Sequence, residues 1–507
     1  MPKTLAPIAP KVVPSTPTES PTSAFGDDLW PSSGAGDLEY RYFRFFHEKT
    51  VSRLSGYLDE ALWNRLVLQA CENEPSIRHA VIAIGALDMA FECGEISQNG
   101  TTPTSPQMDE RRSNAVSHHQ FALQQYAKAI KQMRDTLSEP RRDMRNTLIA
   151  CLLFVCFETF HANNHLALDE AQSGLKMVNG WLPQFVKQGA LHANHVPGPR
   201  SPASYVIEDE LIHAFTRLDL VLFSNEEPLP KCSKSRPSIL EVCRLMPETF
   251  LSVEEARMYW DLMWRQTLQY IANGTGWSSI LGLEDSERIR SGEFWESSFH
   301  DSRQRGDERE EDYLGALAQW SRAFEHLFID SQRNLKDFAS ATSLSLQHKA
   351  CQLAIAGSFR GEMYYDGHLK TFKEILSLSE RLMLYIKDRE SADRTIISLE
   401  RLVTGSIYMV ARFCRDRNTR RKAIAMLEAT PRREGTWDSV LMARIASISM
   451  GIEEDHWAGG HFVPERARIK AIKTKVNMKE RTGVLRFVRA KPEPGREGLI
   501  EEMTFSW

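Results

Sequence analysis

From Leu38 to Glu453 the apolar residues of this chain recur every three or four positions and almost never every second one. A 3.6-residue period buries one face of a helix, whereas a half-buried strand needs a period of two. The pattern therefore predicts an all-α body of stacked helices. The stretch "PSIRHAVIAIGALDMAFE", Pro75 to Glu92, is its clearest case. Pro75 lacks an N–H and has a fixed φ, which suits a first helical turn. Ile77, Val81, Ile84, Leu87 and Phe91 follow at helical spacing, and Val81–Leu87 is apolar nearly all round. Such a helix is expected to be buried on most sides. Arg78 lies four residues after Glu74 and can pair with it as a weak helix contact.

The same period predicts helices at Val253–Ala272, Glu311–Ile329, Ser340–Tyr364, Leu369–Lys387, Ile396–Arg415, Arg420–Ala429 and Val440–Glu453. Another opens after Ser138 and Pro140 and runs through "LIACLLFVCF", Leu148–Phe157. That run is 10 residues long, and a bilayer span needs ~20, so it reads as a core segment. Residues 1–37 hold seven prolines with many Ser, Thr and Gly. They cannot bury enough apolar area to offset their ordering entropy, so a disordered leader is expected. Only "IKAIKTKVNMKERTGVLRFVRAK" alternates in strand fashion, with Ile472, Thr474, Val476 and Met478, then Leu485 and Phe487. It predicts a basic β-hairpin with "KERTG" as its turn. The expected layout is a leader over 1–37, a helical domain over 38–462, a hairpin extension over 463–491 and a tail over 492–507.

With Lys+Arg 63 against Asp+Glu 67 and a net charge of −4, the chain has no global attraction for nucleic acid or anionic membrane. Any such contact must come from a local patch. "RFCRDRNTRRK", Arg412–Lys422, has six basic residues and one acid, and Pro464–Lys491 has ten basic and two acidic. The first could serve nuclear import or contact phosphates, and the second could touch a nucleic-acid backbone or an acidic partner. The plainer expectations are a solvated helix–turn–helix connection and the solvated face of an edge hairpin.

"ETFHANNH" places Glu158, His161 and His165 at i, i+3 and i+7, one face of a continuous helix, where a metal could be held. It lacks the His-Glu-x-x-His arrangement, and polar residues at a helix end are the simpler reading. The eight cysteines, Cys71, Cys93, Cys151, Cys156, Cys232, Cys243, Cys351 and Cys414, form no Cys-x-x-Cys pair. They read as reduced core thiols. No Walker loop, dinucleotide-binding glycine motif or nucleophile elbow occurs. No catalytic residue, cofactor or metal ligand is assigned, and the protein is not expected to be an enzyme.

Several segments together resemble a known family. "YFRFFHEKTVSRLSGYLDEALWNRLVLQACENEPSIRHAVIAIGAL" is similar to the start of the regulatory domain of fungal Zn(II)2Cys6-type transcription factors. "YAKAIKQMRDTL", "LIACLLFVCFE", "ALAQWSRAFEHLF", "RDRNTRRKAIAMLEATPRREGTWDSVLMARI" and "VPERARIKAIKTKV" continue the likeness in order, from about Leu38 to Ala490. The resemblance implies an α-helical regulatory domain in a nuclear transcriptional regulator, of the kind that controls metabolic or secondary-metabolite genes. It also implies partners in the transcription machinery, and a small-molecule effector. A zinc cluster ordinarily precedes such a domain, and this sequence contains none. Either an upstream exon carries it or the protein acts without it, so DNA contact by this chain is expected to be weak or indirect. Arg78 and His79 are then packing residues. Two alternatives stand beside this reading: a subunit that partners or titrates a complete zinc-cluster factor, and an enzyme or accessory protein on a helical scaffold.

Overall fold

The computed structural model describes residues 35–54, 61–93, 106–138, 143–186, 201, 203–223, 239–275, 310–360, 362–388, 396–398, 402–435, 437–455, 457, 462–478, 480–489 and 501–507. The expected leader lies outside them, apart from residues 35–37, which open the first helix. The body is helical, as the periodicity predicts, and carries a small antiparallel sheet near its C-terminus.

A first apolar core is built from helices α1 (Ala35–Phe45), α2 (Val51–Leu54), α3 (Leu68–Asn73), α4 (Pro75–Glu92), α5 (Pro106–Leu137), α6 (Met144–Phe160), α7 (Asn164–Val186) and α8 (Asp209–Phe223). Wider π-type turns, Phe46–Thr50 and Leu62–Val67, lead into α2 and α3. Helix α4 is the axis of this core: α1, α3, α5 and α6 all pack on it. Every residue from Ala80 to Ala90 is buried, which accounts for a sequence with no polar face. Pro75 stands in the first turn, and Glu74 before it is extended. Close packing against α1 requires Gly85, where a Cβ would overlap the carbonyl oxygen of Tyr42. Arg78 does not pair with Glu74. Its Nε donates to the Cys71 carbonyl at 2.9 Å and its Nη2 to the Glu72 carbonyl at 2.8 Å. These carbonyls belong to the open end of α3, where the helix dipole favours a cation.

The start of α6 also differs from expectation. Asp143 caps it, accepting the N–H of Arg145 at 3.0 Å. An aspartate here satisfies an end-of-helix donor more directly than the upstream Ser138 and Pro140 could.

The second core contains α9 (Ile239–Leu245), α10 (Val253–Thr275), α11 (Glu310–Asn334), α12 (Phe338–Arg360), α13 (Leu369–Lys387), α14 (Thr404–Phe413), α15 (Arg417–Ala429) and α16 (Ser439–Glu454). At its centre Trp260, Trp320 and His348 meet face and edge, with Trp320 and His348 5.5 Å apart between ring centres. Their polar atoms are bonded: Trp260 Nε1 donates to Gln347 at 3.0 Å and Trp320 Nε1 to the Ala256 carbonyl at 2.9 Å.

Helix α14 does not extend back to Ile396 as the periodicity suggests. Residues Ile396–Ser398 form a strand, β1, pairing in parallel with β2 (Arg432–Glu434), which pairs with β3 (Trp437–Asp438). The buried carboxylate of Glu434 accepts the N–H groups of Leu402, Val403 and Thr404 at 2.8–3.0 Å. An acid from β2 thereby caps α14 and fixes where it begins.

The hairpin forms as read, with β4 (Ile469–Asn477) antiparallel to β5 (Thr482–Arg489). Arg481, in its turn, has φ 51°. A third strand, β6 (Glu501–Ser506), joins β5 from the stretch read as a tail. Among the described residues no helix is long and apolar enough to cross a membrane.

Candidate functional site: a buried charge cluster and the polar joints of the helices

Half of the basic segment Arg412–Lys422 is not solvated. Arg412, Arg415 and Arg420 are fully buried and converge on one buried acid, Glu453 at the end of α16. Arg415 Nη2 lies 3.0 Å and Arg420 Nη1 2.5 Å from its carboxylate. Arg412 Nη1 stands 3.7 Å away. Arg415 also pairs with Glu362 at 2.7 Å. Arg420 Nε donates to the Ala411 carbonyl at 3.0 Å. The outward face behaves as expected: Arg421 pairs with Glu454, and Lys422 with Glu380.

This geometry follows from helical spacing. Arg412 sits at the end of α14, Arg415 in the connection, and Arg420 one turn into α15, so the helix pair folds all three onto the same side as α16. Asp416 makes the sharp entry by capping α15, accepting the Thr419 N–H at 3.0 Å. Burial alone would raise the Glu453 carboxyl, but Arg415, Arg420 and Arg412 outweigh it and hold it well below the usual carboxylate range.

The cluster also seats the C-terminal sheet. Glu453 Oε1 accepts the Ile469 N–H at 2.9 Å, and Arg412 Nη2 donates to the Ile469 carbonyl at 2.9 Å. Arg468 is buried too, holding the carbonyls of Val463 and Glu362 and the Asp366 carboxylate, the last at 2.7 Å. These groups fix backbone, with four guanidinium groups, Arg412, Arg415, Arg420 and Arg468, set against three carboxylates, Glu453, Glu362 and Asp366.

The residues Glu158, His161 and His165 are not brought together. Helix α6 stops at Phe160, and Ala162 turns left-handed at φ 61°. The Asn163 N–H returns to the Glu158 carbonyl at 2.8 Å and the Ala162 N–H to that of Thr159 at 3.1 Å, a Schellman ending. The continuous helix that would align the three residues is thus interrupted. Glu158 is buried, and burial, with this carboxylate nearby, raises the pKa of the Tyr126 hydroxyl. The His161 ring lies 5.3 Å from that of His119. His165 is exposed on α7, with Nδ1 3.1 Å from Asp169. Among the described residues no group of three or more His, Cys, Asp or Glu side chains could hold a metal.

The cysteines fare similarly. Cys71, Cys151, Cys156, Cys351 and Cys414 are buried, while Cys93 and Cys243 are half-buried; Cys232 lies outside the described residues. Burial pushes the thiols of Cys71 and Cys151 up to about 12, which keeps them protonated and poor as metal ligands.

In the first core the polar groups are joints between helices. Asp88 of α4 takes the Thr50 hydroxyl at 2.8 Å and pairs with Arg53. His79 Nδ1 lies 2.6 Å from Gln125 Oε1, and Gln125 Nε2 donates to Glu39 at 2.7 Å, tying α4, α5 and α1. Tyr42 and His118 make a further α1–α5 bond at 2.6 Å. Arg78 and His79 are thus bonded within this core, Arg78 to carbonyls at the end of α3 and His79 to Gln125.

This block of helices is also where the chain matches a known family. The model of the fungal specific transcription factor domain matches residues 41–193. The match runs from α1 to beyond α7, so it takes in the helix α4 and nearly all of the core packed round it. Nothing matches among the curated proteins or among the solved structures. The polar joints within this block set helix against helix.

Proposed function

We propose that this protein is a nuclear regulator of transcription that works through protein contacts, and through a small effector, to control a metabolic or secondary-metabolite gene set. The observation that carries the reading is the family match over 41–193, which coincides with a closed apolar core. The second core, with its sheet seated on Glu453, supports extending the regulatory domain over about 38–462 with residues 463–491 as its extension. Burial of Arg412, Arg415 and Arg420 removes half of one basic patch from contact with phosphates, which supports weak, salt-sensitive DNA binding by the chain itself.

Fusing the chain to a heterologous DNA-binding domain tests the regulatory role. The fusion should change reporter transcription several-fold relative to that domain alone, in either direction. A tagged chain should accumulate in the nucleus. Unchanged transcription with nuclear exclusion would refute the proposal.

A second reading is a subunit that pairs with or titrates a complete zinc-cluster factor. Co-purification with the tagged chain separates the two: recovery of a zinc-cluster protein in stoichiometric amount selects the second, and recovery of the chain without one rejects it.

A further inference from the structure

The C-terminal sheet runs in the order β4–β5–β6, so β6 lies at its rim, and among the described residues no further strand adjoins it. One bond gives the register of its backbone. The Trp507 N–H donates to the Arg481 carbonyl at 3.2 Å, and these two residues lie opposite each other just beyond the pair Thr482 and Ser506. Bonded and non-bonded pairs alternate along an antiparallel ladder. Trp507, Phe505, Met503 and Glu501 therefore turn their N–H and C=O groups toward β5. Ser506, Thr504 and Glu502 turn theirs away from it.

This outer row is stopped at one end. Arg444 of α16 donates from Nε to the Ser506 carbonyl at 3.0 Å. The remainder is accessible: Glu501, Glu502, Met503 and Thr504 are exposed, Met503 by 41%. Sheets commonly guard such a rim with lysine, proline or a bulge. The strand "EEMTFS" has neither lysine nor proline, and its pairing with β5 runs without a bulge. Its repulsion is reduced as well, because Glu502 is paired with Arg486 at 2.6 Å.

The occupant that fits this row is β6 of a second copy. Antiparallel pairing about a two-fold axis at Met503 sets Glu502 of each copy opposite Thr504 of the other. Both residues face outward, so each of these pairs exchanges an N–H and a C=O. The neighbouring registers are worse. Centring on Thr504 calls on the Ser506 carbonyl, which Arg444 already holds. Centring on Glu502 sets two like acids directly opposite, which is destabilising. At Met503 the two thioether side chains meet in a non-bonded pair, where Cα atoms approach to ~4.5 Å and side chains are closest. An exposed apolar residue is thereby covered.

We propose that two copies of this chain associate through their β6 strands, joining two three-stranded sheets into one. The contact is isologous, so it closes at the dimer. It rests on the sheet alone, so it and the regulatory role proposed above fail independently.

Sedimentation velocity of the full chain tests it, over concentrations from about 1 to 100 µM, as suits a small interface. The mass should rise from monomer to dimer across that range. Thr504→Pro removes only an outward N–H, so it should leave the circular dichroism unchanged and weaken association by about tenfold or more. Met503→Cys should give a covalent dimer under mild oxidation, since the two Cβ atoms come within ~4.5–5.5 Å, close to disulfide reach. Thr504→Cys faces Glu502 rather than itself and should cross-link no more than the unsubstituted chain. A chain that stays monomeric throughout leaves the rim to a strand of another protein and overturns the proposal. So does a dimer that T504P leaves unweakened, or equal cross-linking of M503C and T504C. If T504P misfolds, the two cysteine variants decide.

Discussion

The carboxylate of Glu453 accepts the backbone N–H of Ile469 at 2.9 Å, while Arg412, paired with the same acid, donates to the carbonyl of that residue at 2.9 Å. Two side chains thus satisfy both backbone groups of the residue that opens β4. The sheet is attached through ionised groups buried beneath it, and its attachment depends on their charge.

Replacing Glu453 by Gln should therefore destabilise the second core strongly. Removing one partner from a buried charge cluster costs about 3–5 kcal/mol, because the remaining guanidinium groups stay buried without compensation. Urea unfolding gives the value. The pH profile gives a second check. A carboxyl whose folded pKa is depressed stabilises the protein above its unfolded value, near 4.3, and that stability is lost as pH falls towards the folded pKa. The native chain should lose stability below about pH 4, and E453Q should show a shallower decline there.

His348 should impose a separate acid dependence. Burial lowers its pKa to about 4, despite the hydrogen bond between its Nε2 and the Leu317 carbonyl at 3.0 Å. The unfolded chain takes up this proton near pH 6.5 and the folded chain near 4, so folding becomes less favourable as pH falls between them. The loss is on the order of 3 kcal/mol at most. Tryptophan fluorescence of Trp260 and Trp320 should follow the transition, and His348→Gln should flatten the profile from pH 6.5 to 4.

Two glycines should respond oppositely to alanine. Gly85 faces the Tyr42 backbone, which cannot swing aside, so Gly85→Ala should cost about 1–3 kcal/mol or more. Gly315, on the exposed side of α11, meets nothing within 4 Å. Gly315→Ala should add about 0.5–1 kcal/mol through helix propensity. Equal effects in thermal melts would contradict the placement of α1 on α4.

Ala162 occupies a left-handed conformation that glycine adopts without steric cost. Ala162→Gly should raise stability by roughly 0.5–1 kcal/mol. Because the turn separates His161 from His165, adding EDTA or zinc should leave the melting temperature of both forms unchanged. A zinc-dependent rise abolished by His161→Ala would show that the two halves of the turn do close on a metal.

The sequence made local matters legible. The apolar run of α4 predicted its burial, Pro75 marked its start, and the alternation from Ile472 to Phe487 predicted β4 and β5. Its errors arose wherever a distant residue decided the outcome. Arg412, Arg415 and Arg420 look like a solvated basic run because Glu453 and Glu362 lie far away along the chain. The start of α14 depends on Glu434, some thirty residues later. The strand β6 was hidden because "EEMTFS" places only Phe505 in the interior. A basic residue within an otherwise apolar stripe, such as Arg412 between Val410 and Phe413, was the available hint that an acid must await it. The family resemblance was legible over residues 41–193, where the match found lies.

The strand Glu501–Ser506 covers one side of β5, and the Trp507 N–H closes on the Arg481 carbonyl at 3.2 Å. A protease that nicked the chain just ahead of Glu501 would strip β5 of that neighbour. Leu485 and Phe487 would then flank an open backbone edge, a template on which further copies can stack. Clipping at this point should turn a dispersed regulator into one that precipitates, so an intact end is a condition for handling the protein in solution.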